Sequence, residues 1–178
     1  MGAVLAGGQA VRFGRDKLSA ELNGATFLQL AHRAVLEQVD EAVICGRKVS
    51  NEIAIVDWPS SRLGPLGGLC AAMRYAVNAR LDYVLSIPAD TYPVPKDLIN
   101  LLSGETPAVF YNHWLFGFWP SAYFPALESY LNIGQRSVKG WLRKTAPRLV
   151  DDSLFNLTNV NTVSDLNALK VSLNGIDV

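Results

Sequence analysis

Residues 1–17 read MGAVLAGGQAVRFGRDK, and this stretch decides the fold class. Residues 1–5 form a short apolar run, which is typical of a strand buried on both faces of a sheet, and Gly7-Gly8 ends it. Glycines at this point let backbone N–H groups approach an anion closely, and Arg12 and Lys17 add positive charge. The glycine spacing matches neither a Walker A loop nor the dinucleotide-binding fingerprint. We therefore favour a polyphosphate-binding loop over a tight turn with two solvated basic residues.

Outward from this loop, short apolar strands alternate with helical stretches, which is typical of a layered α/β fold with a largely parallel sheet. Strands are predicted at 42–45, 53–56, 83–87, 108–111 and 114–119, the last two as an antiparallel pair. Helices are predicted at 26–38, 66–79, 121–131 and 163–170. The last helix begins with Thr162 and Asp165 in capping-box spacing. We expect one domain over residues 1–178.

Composition excludes several classes of protein. The chain has 178 residues, of which 49% are hydrophobic and 18% charged, so it can bury a sizeable core. Sixteen basic residues balance sixteen acidic ones, which argues against a broad nucleic-acid surface. No apolar run is long enough to span a bilayer, so no membrane partner is expected. Cys45 and Cys70 lie in apolar surroundings and indicate buried thiols of a reducing compartment, here the cytoplasm.

Carboxylates follow two further predicted strands. Asp57 comes after strand 53–56, and a glycine-rich turn beginning at Gly64 and Pro65 opens the next helix. Asp90 comes after strand 83–87. A carboxylate at the carboxyl end of a buried strand lies where open α/β sheets bind ligands, and it can hold Mg²⁺. Asp90 could instead cap the next turn, but its strand context and the upstream loop favour the metal role.

A basic segment lies near the C-terminal third of the chain, with no acidic residue between Glu128 and Asp151. At about 100° per residue, Arg136, Lys139 and Arg143 fall within an arc of about 60°, with Trp141 on the opposite side. This pattern predicts an amphipathic helix with a basic stripe. From charge alone, an acceptor-phosphate site and a solvated basic face are equally good interpretations.

The glycine loop resembles the signature of the MobA-like nucleotidyltransferases, above all the molybdenum cofactor guanylyltransferase family. The shared features are Leu-Ala-Gly-Gly at residues 5–8, then an arginine, a hydrophobic residue, a glycine and a lysine. Three further segments resemble motifs of the family: 57–69 (Asp, then Gly-Pro-Leu-Gly-Gly), 86–93 (Pro-Ala-Asp-Thr-Tyr, usually Pro-Cys-Asp-Thr-Pro) and 159–166 (Asn-Val-Asn-Thr-Val-Ser-Asp-Leu). The resemblance therefore extends from residue 5 to residue 166.

The resemblance implies a three-layer α/β/α, Rossmann-like (GT-A-like) fold with a mostly parallel mixed sheet. It implies transfer of GMP from GTP to the phosphate of molybdopterin, with Mg²⁺ as cofactor and pyrophosphate released. The implied nucleotide-binding residues are Leu5, Ala6, Gly7, Gly8, Lys17, Asp57, Gly64 and Asp90. The implied catalytic residues are Arg12, Lys17 and Asp90, the implied metal ligands are Asp90 and Asn161, and the implied acceptor-binding residues are Arg136, Lys139, Arg143 and His113.

One departure leaves base selectivity open. Guanylyltransferases of the family often carry an asparagine after the strand that corresponds to 42–45, where this chain has Gly46-Arg47-Lys48. The alternatives are a molybdopterin cytidylyltransferase, another MobA-like nucleotidyltransferase with a phospho-acid or sugar phosphate as acceptor, and a non-catalytic nucleotide-binding partner of molybdoenzymes. Molybdoenzymes or cofactor-insertion proteins are the expected protein partners.

Overall fold

The structure is a computed structural model that describes residues 1–7 and 20–174, with a mixed sheet at its centre. The strands, numbered along the chain, are β1 (Gly2–Leu5), β2 (Glu21–Leu22), β3 (Ala25–Thr26), β4 (Ala42–Cys45), β5 (Ala54–Ile55), β6 (Tyr83–Pro88), β7 (Thr91–Tyr92), β8 (Ala108–Phe110), β9 (Gly117–Pro120), β10 (Arg148–Val150) and β11 (Thr158–Asn159). The helices are α1 (Phe27–Leu36), α2 (Pro65–Asn78), α3 (Leu98–Leu102), α4 (Phe124–Asn132), α5 (Val138–Thr145) and α6 (Val163–Asn174), with 3₁₀ turns at Ser121–Tyr123 and Ser153–Phe155.

The central sheet has seven strands in the order β10-β8-β9-β6-β1-β4-β5. Strand β1 pairs in parallel with both β4 and β6, and β5 and β10 continue the parallel pairing at the two edges. Strand β9 runs antiparallel to its neighbours β6 and β8. The predicted mostly parallel mixed sheet, including its antiparallel strand, is confirmed.

Helices cover both faces of this sheet, which makes three layers. Successive residues of β1 point to opposite faces, so Ala3 and Leu5 pack into one hydrophobic cluster and Val4 into the other. The first cluster contains residues of α2, α4 and α5, and the second contains residues of α1 and α3. Because both faces are buried, the central strands are continuously apolar, and this is why residues 1–5 were recognisable as a strand.

Most of the predicted elements form, but some differ in extent. Trp114 to Phe116 precede β9, so the strand predicted over 114–119 begins three residues later, at Gly117. The helix predicted over 121–131 starts as a 3₁₀ turn and becomes α-helical at Phe124, next to Pro125. The two-residue pairs β2–β3 and β7–β11, the edge strand β10 and the short helix α3 were not predicted, because segments this short carry little periodicity.

The basic helix is also shorter than predicted. Helix α5 starts at Val138, and the hydroxyl of its N-cap residue Ser137 accepts from the Gly140 backbone. Arg136 therefore lies before the helix, and the prediction that it belongs to the helical stripe is wrong. Lys139 and Arg143 do lie on the helix.

Two predictions about the chain as a whole can be compared with the fold. Cys45 and Cys70 are both buried free thiols, as predicted. Across the described residues, each helix is too short or too polar to traverse a bilayer.

The strand directions bring one end of six strands to the same edge of the sheet. Strands β1, β4, β5, β6, β8 and β10 all run in one direction, so their carboxyl ends lie together. Open α/β sheets bind their ligands at this edge. The predicted site residues Gly7, Asp57, Asp90 and His113 follow these strand ends.

Candidate active site

A cavity of about 480 Å³ lies at the carboxyl ends of β1, β4 and β5. Gly7, Gly46, Asp57 and Gly64 line it, together with cations that include Arg47 and Arg62. Its volume lies within the range of about 300–1,000 Å³ that is common for pockets of drug-sized ligands. A nucleotide is a ligand of this class, and the surrounding cations suit its negative charge.

The ends of β1 and β4 approach each other so closely that only glycine fits between them. Gly46 has a φ of +82°, and a Cβ added to it would lie 2.7 Å from the Cα of Gly7 and 3.0 Å from Oδ1 of Asp57. An asparagine at Gly46 would require these backbones to move apart. Position 46 therefore has no room for the asparagine that the family often carries there.

Asp57 presents one oxygen atom that accepts no hydrogen bond from the residues that the structure describes. Its Oδ2 accepts a hydrogen bond from the Leu63 backbone at 3.3 Å, whereas its Oδ1 is buried and has no hydrogen-bond partner within the described part of the chain. Burial raises the pKa of Asp57, and the backbone hydrogen bonds from Leu63 and Arg62 counteract that rise. A buried acceptor without a donor costs free energy, so Oδ1 is suited to a donor supplied by a ligand.

The glycine-rich turn after Asp57 allows helix α2 to begin against the sheet. A Cβ on Gly67 would lie 2.6 Å from the Cβ of Leu63 and 3.1 Å from that of Asp57, and one on Gly68 would lie 3.0 Å from the Cβ of Cys45. Pro65 occupies the first turn of α2, as predicted. These glycines therefore position Asp57 through close packing.

Trp58 anchors the Asp57 loop from the other side, and the sequence patterns did not identify it. Its indole Nε1 donates to Oε1 of Glu128 at 2.5 Å, and the guanidinium of Arg74 lies 3.5 Å from the centroid of its ring. Its backbone N–H donates to Gly67 at 3.1 Å. These contacts tie the residue next to Asp57 to helices α2 and α4.

A second cavity, of about 220 Å³, lies at the carboxyl ends of β6 and β8 and contains Asp90. His113, Asn159 and Trp114 also line it. The β7–β11 pair places Asn159 opposite Thr91, and the Val160 N–H donates to the Asp90 carbonyl at 2.8 Å. The C-terminal motif therefore reaches Asp90, as its resemblance to the family motif implied.

The turn that holds Asn161 is closed by the start of α6. The N–H groups of Asn161 and Thr162 both donate to Oδ2 of Asp165 at 2.8 Å, and the Asp165 N–H donates to the Thr162 hydroxyl at 3.1 Å. This is the capping box that the sequence predicts. The hydrogen bond from the Asn161 N–H lowers the pKa of Asp165, and the hydrogen bonds from Thr162 lower it further. Burial acts in the opposite direction, but the pKa stays below its usual value.

The residues around Asp90 fit a divalent metal that binds together with a phosphate ligand. Among the described residues, no group of three or more His, Cys, Asp or Glu side chains is arranged to hold a metal ion. Magnesium is commonly held by one or two carboxylates together with substrate phosphates and water. One carboxylate, Asp90, with the Asn161 turn next to it, fits that mode of binding.

Comparisons with known proteins agree with this geometry. Residues 2–149 match the family model of the MobA-like NTP transferase domain. The chain belongs to this family. A molybdenum cofactor guanylyltransferase from Acidiphilium cryptum is 34% identical, and the alignment covers 93% of this chain and 91% of the relative.

Solved structures of other proteins share the fold. The molybdopterin-guanine dinucleotide biosynthesis protein A of Archaeoglobus fulgidus superposes with a TM-score of 0.73 at 19% identity, covering 98% of both chains. The Rv0371C protein of Mycobacterium tuberculosis, solved in complex with manganese, has a TM-score of 0.62 at 16% identity and covers 96% of this chain and 97% of that one. The predicted α/β nucleotidyltransferase fold is thereby confirmed.

The described structure covers only part of the site predicted for this MobA-like enzyme. Gly8, Arg12 and Lys17 lie outside the described residues, so their predicted contacts with the triphosphate remain predictions. Leu5 ends β1 and Ala6 follows it, both are buried, and Gly7 lines the cavity of about 480 Å³, here called the nucleotide cavity after its expected ligand.

The predicted acceptor residues do not all lie together. His113 lines the Asp90 cavity, whereas Lys139 and Arg143 are exposed on α5 and do not line it. Arg136 is exposed, and its Nη1 donates to the carbonyls of Leu131 at 2.6 Å and Gln135 at 2.8 Å. Of this segment, Val138 at the start of α5 reaches the cavity. An acceptor role for the three basic residues stays a prediction.

Sequence reasoning missed Asn112, which lines the Asp90 cavity of this MobA-like chain, and Asp152, which is buried in contact with His113. Oδ2 of Asp152 lies 2.6 Å from Nδ1 of His113, and its Oδ1 accepts from the backbone and the side chain of Asn112 at 3.1 and 2.9 Å. Residues 112 and 152 are distant in sequence, and only the pairing of β8 with β10 brings them together. No local sequence motif predicts such a pair.

Proposed function

We propose that this chain transfers GMP from GTP to the phosphate of molybdopterin, forming the guanine dinucleotide and releasing pyrophosphate. The observation that carries the proposal is the buried Oδ1 of Asp57 in the nucleotide cavity, which finds no donor among the described residues. The family relationship supports it, because curated relatives at up to 34% identity are molybdenum cofactor guanylyltransferases.

Asp57 favours guanine because of the pattern of hydrogen-bond donors on that base. Guanine presents a ring N–H and an amino group side by side, and an ionised carboxylate only accepts hydrogen bonds. Cytosine presents an amino group next to a ring nitrogen that is an acceptor, and this acceptor would face the carboxylate unfavourably. Asp57 thus supplies the base selectivity that Gly46 cannot.

In this reaction the protein must bring two anions together. An oxygen of the acceptor phosphate forms a bond to the α-phosphorus of GTP, and the bond from that phosphorus to the pyrophosphate oxygen breaks. The attacking group is already an anion, so positioning and charge neutralisation are the main tasks. In this proposal Arg12, Lys17 and the Gly7 and Gly8 amides bind the β- and γ-phosphates.

Asp90 and Asn161 would hold the divalent metal, which we propose is Mg²⁺. When bound, such an ion neutralises phosphate charge in the transition state. Asp90 would hold the ion close to both cavities, because the end of β6 adjoins the end of β1 in the sheet. The Asn161 turn contributes because Val160 is bonded to the Asp90 backbone.

A donor panel tests the proposal. GTP, CTP, ATP and UTP are each incubated with molybdopterin, Mg²⁺ and the protein, and the products are identified by mass. We expect a guanine dinucleotide from GTP alone. A cytosine dinucleotide from CTP would instead establish the cytidylyltransferase alternative, and GTP binding without any transfer would support a non-catalytic partner.

Variants of Asp90 and Asp57 test the proposed metal ligand and the proposed base-binding residue. Asp90→Asn is expected to lower kcat by about 10²–10³, as when one charge-stabilising group is lost. Asp57→Asn is expected to raise KM for GTP by about tenfold or more, since a hydrogen bond to a charged group contributes about 1.5–3 kcal/mol. Asp97→Asn is the matched control, because Asp97 is an exposed acid at the start of α3. Unchanged turnover in Asp90→Asn contradicts the metal assignment.

A further inference from the structure

The Asp90 cavity contains a histidine held by a buried carboxylate. The family resemblance implies only that His113 contacts the acceptor, and it gives no role to Asp152. The side chain of Asp152 is fully buried, and that of His113 is 22% exposed. Burying a carboxylate is costly unless it is paired and hydrogen-bonded. Asp152 meets this condition through His113 and Asn112, so the buried charge depends on these two residues for its side-chain hydrogen bonds.

The partners of Asp152 determine which nitrogen of His113 carries hydrogen. Burial alone would raise the pKa of Asp152, but the hydrogen bonds from His113 and Asn112 hold it below its usual value. An ionised carboxylate only accepts, so Nδ1 of His113 must be the donor in the 2.6 Å contact. Nε2 is therefore the ring nitrogen that His113 can offer to a ligand of the cavity.

The orientation of the ring is fixed as well. The ring of Phe116 lies edge-on to the imidazole, with centroids 6.5 Å apart, and Asn112 holds the second carboxylate oxygen of Asp152. Strand pairing supports both partners, because the Tyr111 N–H donates to Val150 at 2.8 Å where β8 and β10 end. A ring held in this way is a preorganised binding group.

The size and surroundings of the cavity indicate what it receives. At about 220 Å³ it lies below the common range for pockets of drug-sized ligands, so it can hold one end of an acceptor molecule. Asp90 lines the same cavity, and in the proposed function Asp90 holds the metal that meets the reacting phosphates. The end of the acceptor that enters is then its phosphate.

We infer that Asp152 is a positioning residue that holds His113 so that Nε2 binds the phosphate monoester of the acceptor. The inference deepens the proposed function and rests on it for the identity of the acceptor. The hydrogen count balances for either form of the ligand. A monoester with one ionised oxygen donates its own P–O–H to Nε2, whereas a doubly ionised one accepts from Nε2–H; in both cases one hydrogen lies between the nitrogen and the oxygen.

Imidazole NMR spectroscopy tests the inference without any GMP transfer. The chain has two histidines, and His32 is buried on α1, 3.5 Å from Glu52, so it serves as an internal reference. The probe is glycerol 3-phosphate, with glycerol as the matched ligand that lacks the phosphate. We expect a hydrogen on Nδ1 of His113 in the free protein, a shift of its Nε2 signal with glycerol 3-phosphate, and no shift of His32 or with glycerol.

Two variants separate positioning from folding. Asp152→Asn is expected to abolish the Nδ1-protonated signature and to weaken binding of the probe by about 10–100-fold, the usual effect of losing a partner that orients a binding histidine. His113→Gln leaves the buried carboxylate in place and changes a partly exposed side chain, so it is expected to fold. Its affinity for the probe is expected to fall by a similar factor. In GMP transfer, both variants are expected to raise KM for the acceptor and to leave KM for GTP unchanged.

Several results would overturn the inference. They are a wild-type His113 signal that the probe leaves unmoved, an equal response of His32, a shift caused by Mg²⁺ alone, or wild-type affinity for the probe in His113→Gln. Failure of the proposed function is recognised separately, because it leaves the probe bound at His113 while no GMP is transferred. Transfer of GMP with an unresponsive His113 overturns the inference alone.

Discussion

Gly46 shows how one residue limits the chemistry of the nucleotide cavity. Its φ is positive, and a Cβ added to it would approach the Cα of Gly7 to 2.7 Å, so there is no room for a side chain. Asp57 lies on the other side of the same contact, with its buried Oδ1 turned toward position 46. In the proposed function, the selectivity that the family resemblance assigns to an asparagine therefore comes from Asp57.

The tightness of this contact can be measured with two glycines of similar conformation. Gly46→Ala is expected to lower the free energy of unfolding by about 2–5 kcal/mol, from left-handed strain of about 1–2 kcal/mol and overpacking of about 1–3 kcal/mol. Gly24→Ala is the control, because Gly24 has a φ of +80° and no described atom within 4 Å of its added Cβ. It is expected to show the strain alone, about 1–2 kcal/mol.

Urea unfolding measures both losses, and KM for GTP gives a second measurement. Only Gly46→Ala is expected to raise that KM, since it alone disturbs the cavity. Equal losses of stability in the two variants would show that the strand ends can move apart, and a side chain at position 46 could then reach the base after all.

At the scale of elements, the start of α6 closes the turn of the C-terminal motif next to Asp90. The carboxylate of Asp165 accepts from the backbone of Asn161 and Thr162, which closes the turn beside Asp90. Helix α1 begins with the same kind of capping box, formed by Thr26 and Gln29.

The Asp165 cap makes a pH-dependent contribution to stability. Its hydrogen bonds lower the pKa in the folded state, so the stabilisation is present above the unfolded value of about 4 and is lost as the pH falls through the folded value. Asp165→Asn is therefore expected to lower Tm by a few degrees at pH 7 and to match the wild type in strong acid.

Thermal melts at a series of pH values measure this difference. Thr162→Ser keeps the hydroxyl that accepts from Asp165 and is expected to melt like the wild type. A difference between Asp165→Asn and wild type that stays constant down to about pH 2 would mean that the carboxylate charge contributes nothing to the cap.

At the scale of the whole molecule, the parallel sheet places the site and the core on the same strands. Cys45 ends β4 beside the nucleotide cavity, and Cys70 lies on α2, which covers one face of the sheet. Both are fully buried, and burial raises the pKa of Cys70 to about 12. The thiolate is the reactive form of cysteine, so both thiols are protected in the folded protein.

Thiol labelling is expected to report opening of the whole fold. With an aromatic disulfide reagent in excess, both cysteines should react only slowly in the native protein, through opening of the fold, and both should react at once in denaturant. In the proposed function GTP with Mg²⁺ binds the folded state only, so at about 100 times its Kd it should slow native labelling by about 100-fold. Fast labelling of Cys45 alone, unaffected by GTP, would show that the β4 end opens locally.

The sequence alone determined the class of fold and the outline of the site. Residues 1–5, 42–45 and 83–87 were recognisable because strands buried on both faces are continuously apolar, and Asp57 and Asp90 were found because parallel strands end at one edge. Segments of two or three residues, such as β7 and β11, were missed because they are too short for any periodicity.

Tertiary structure decided what depends on residues far apart in the chain. Three features join segments that no local pattern connects. They are the Asp152–His113 pair, the anchoring of Trp58 by Arg74 and Glu128, and the lack of room at Gly46. Arg136 was wrongly placed in the basic stripe for the same reason, since its Nη1 donates to the Leu131 carbonyl of α4 and the residue precedes α5, whereas Lys139 and Arg143 lie on α5. Local periodicity is set by neighbouring residues, whereas contacts between strand ends are set by the order in which the strands pair.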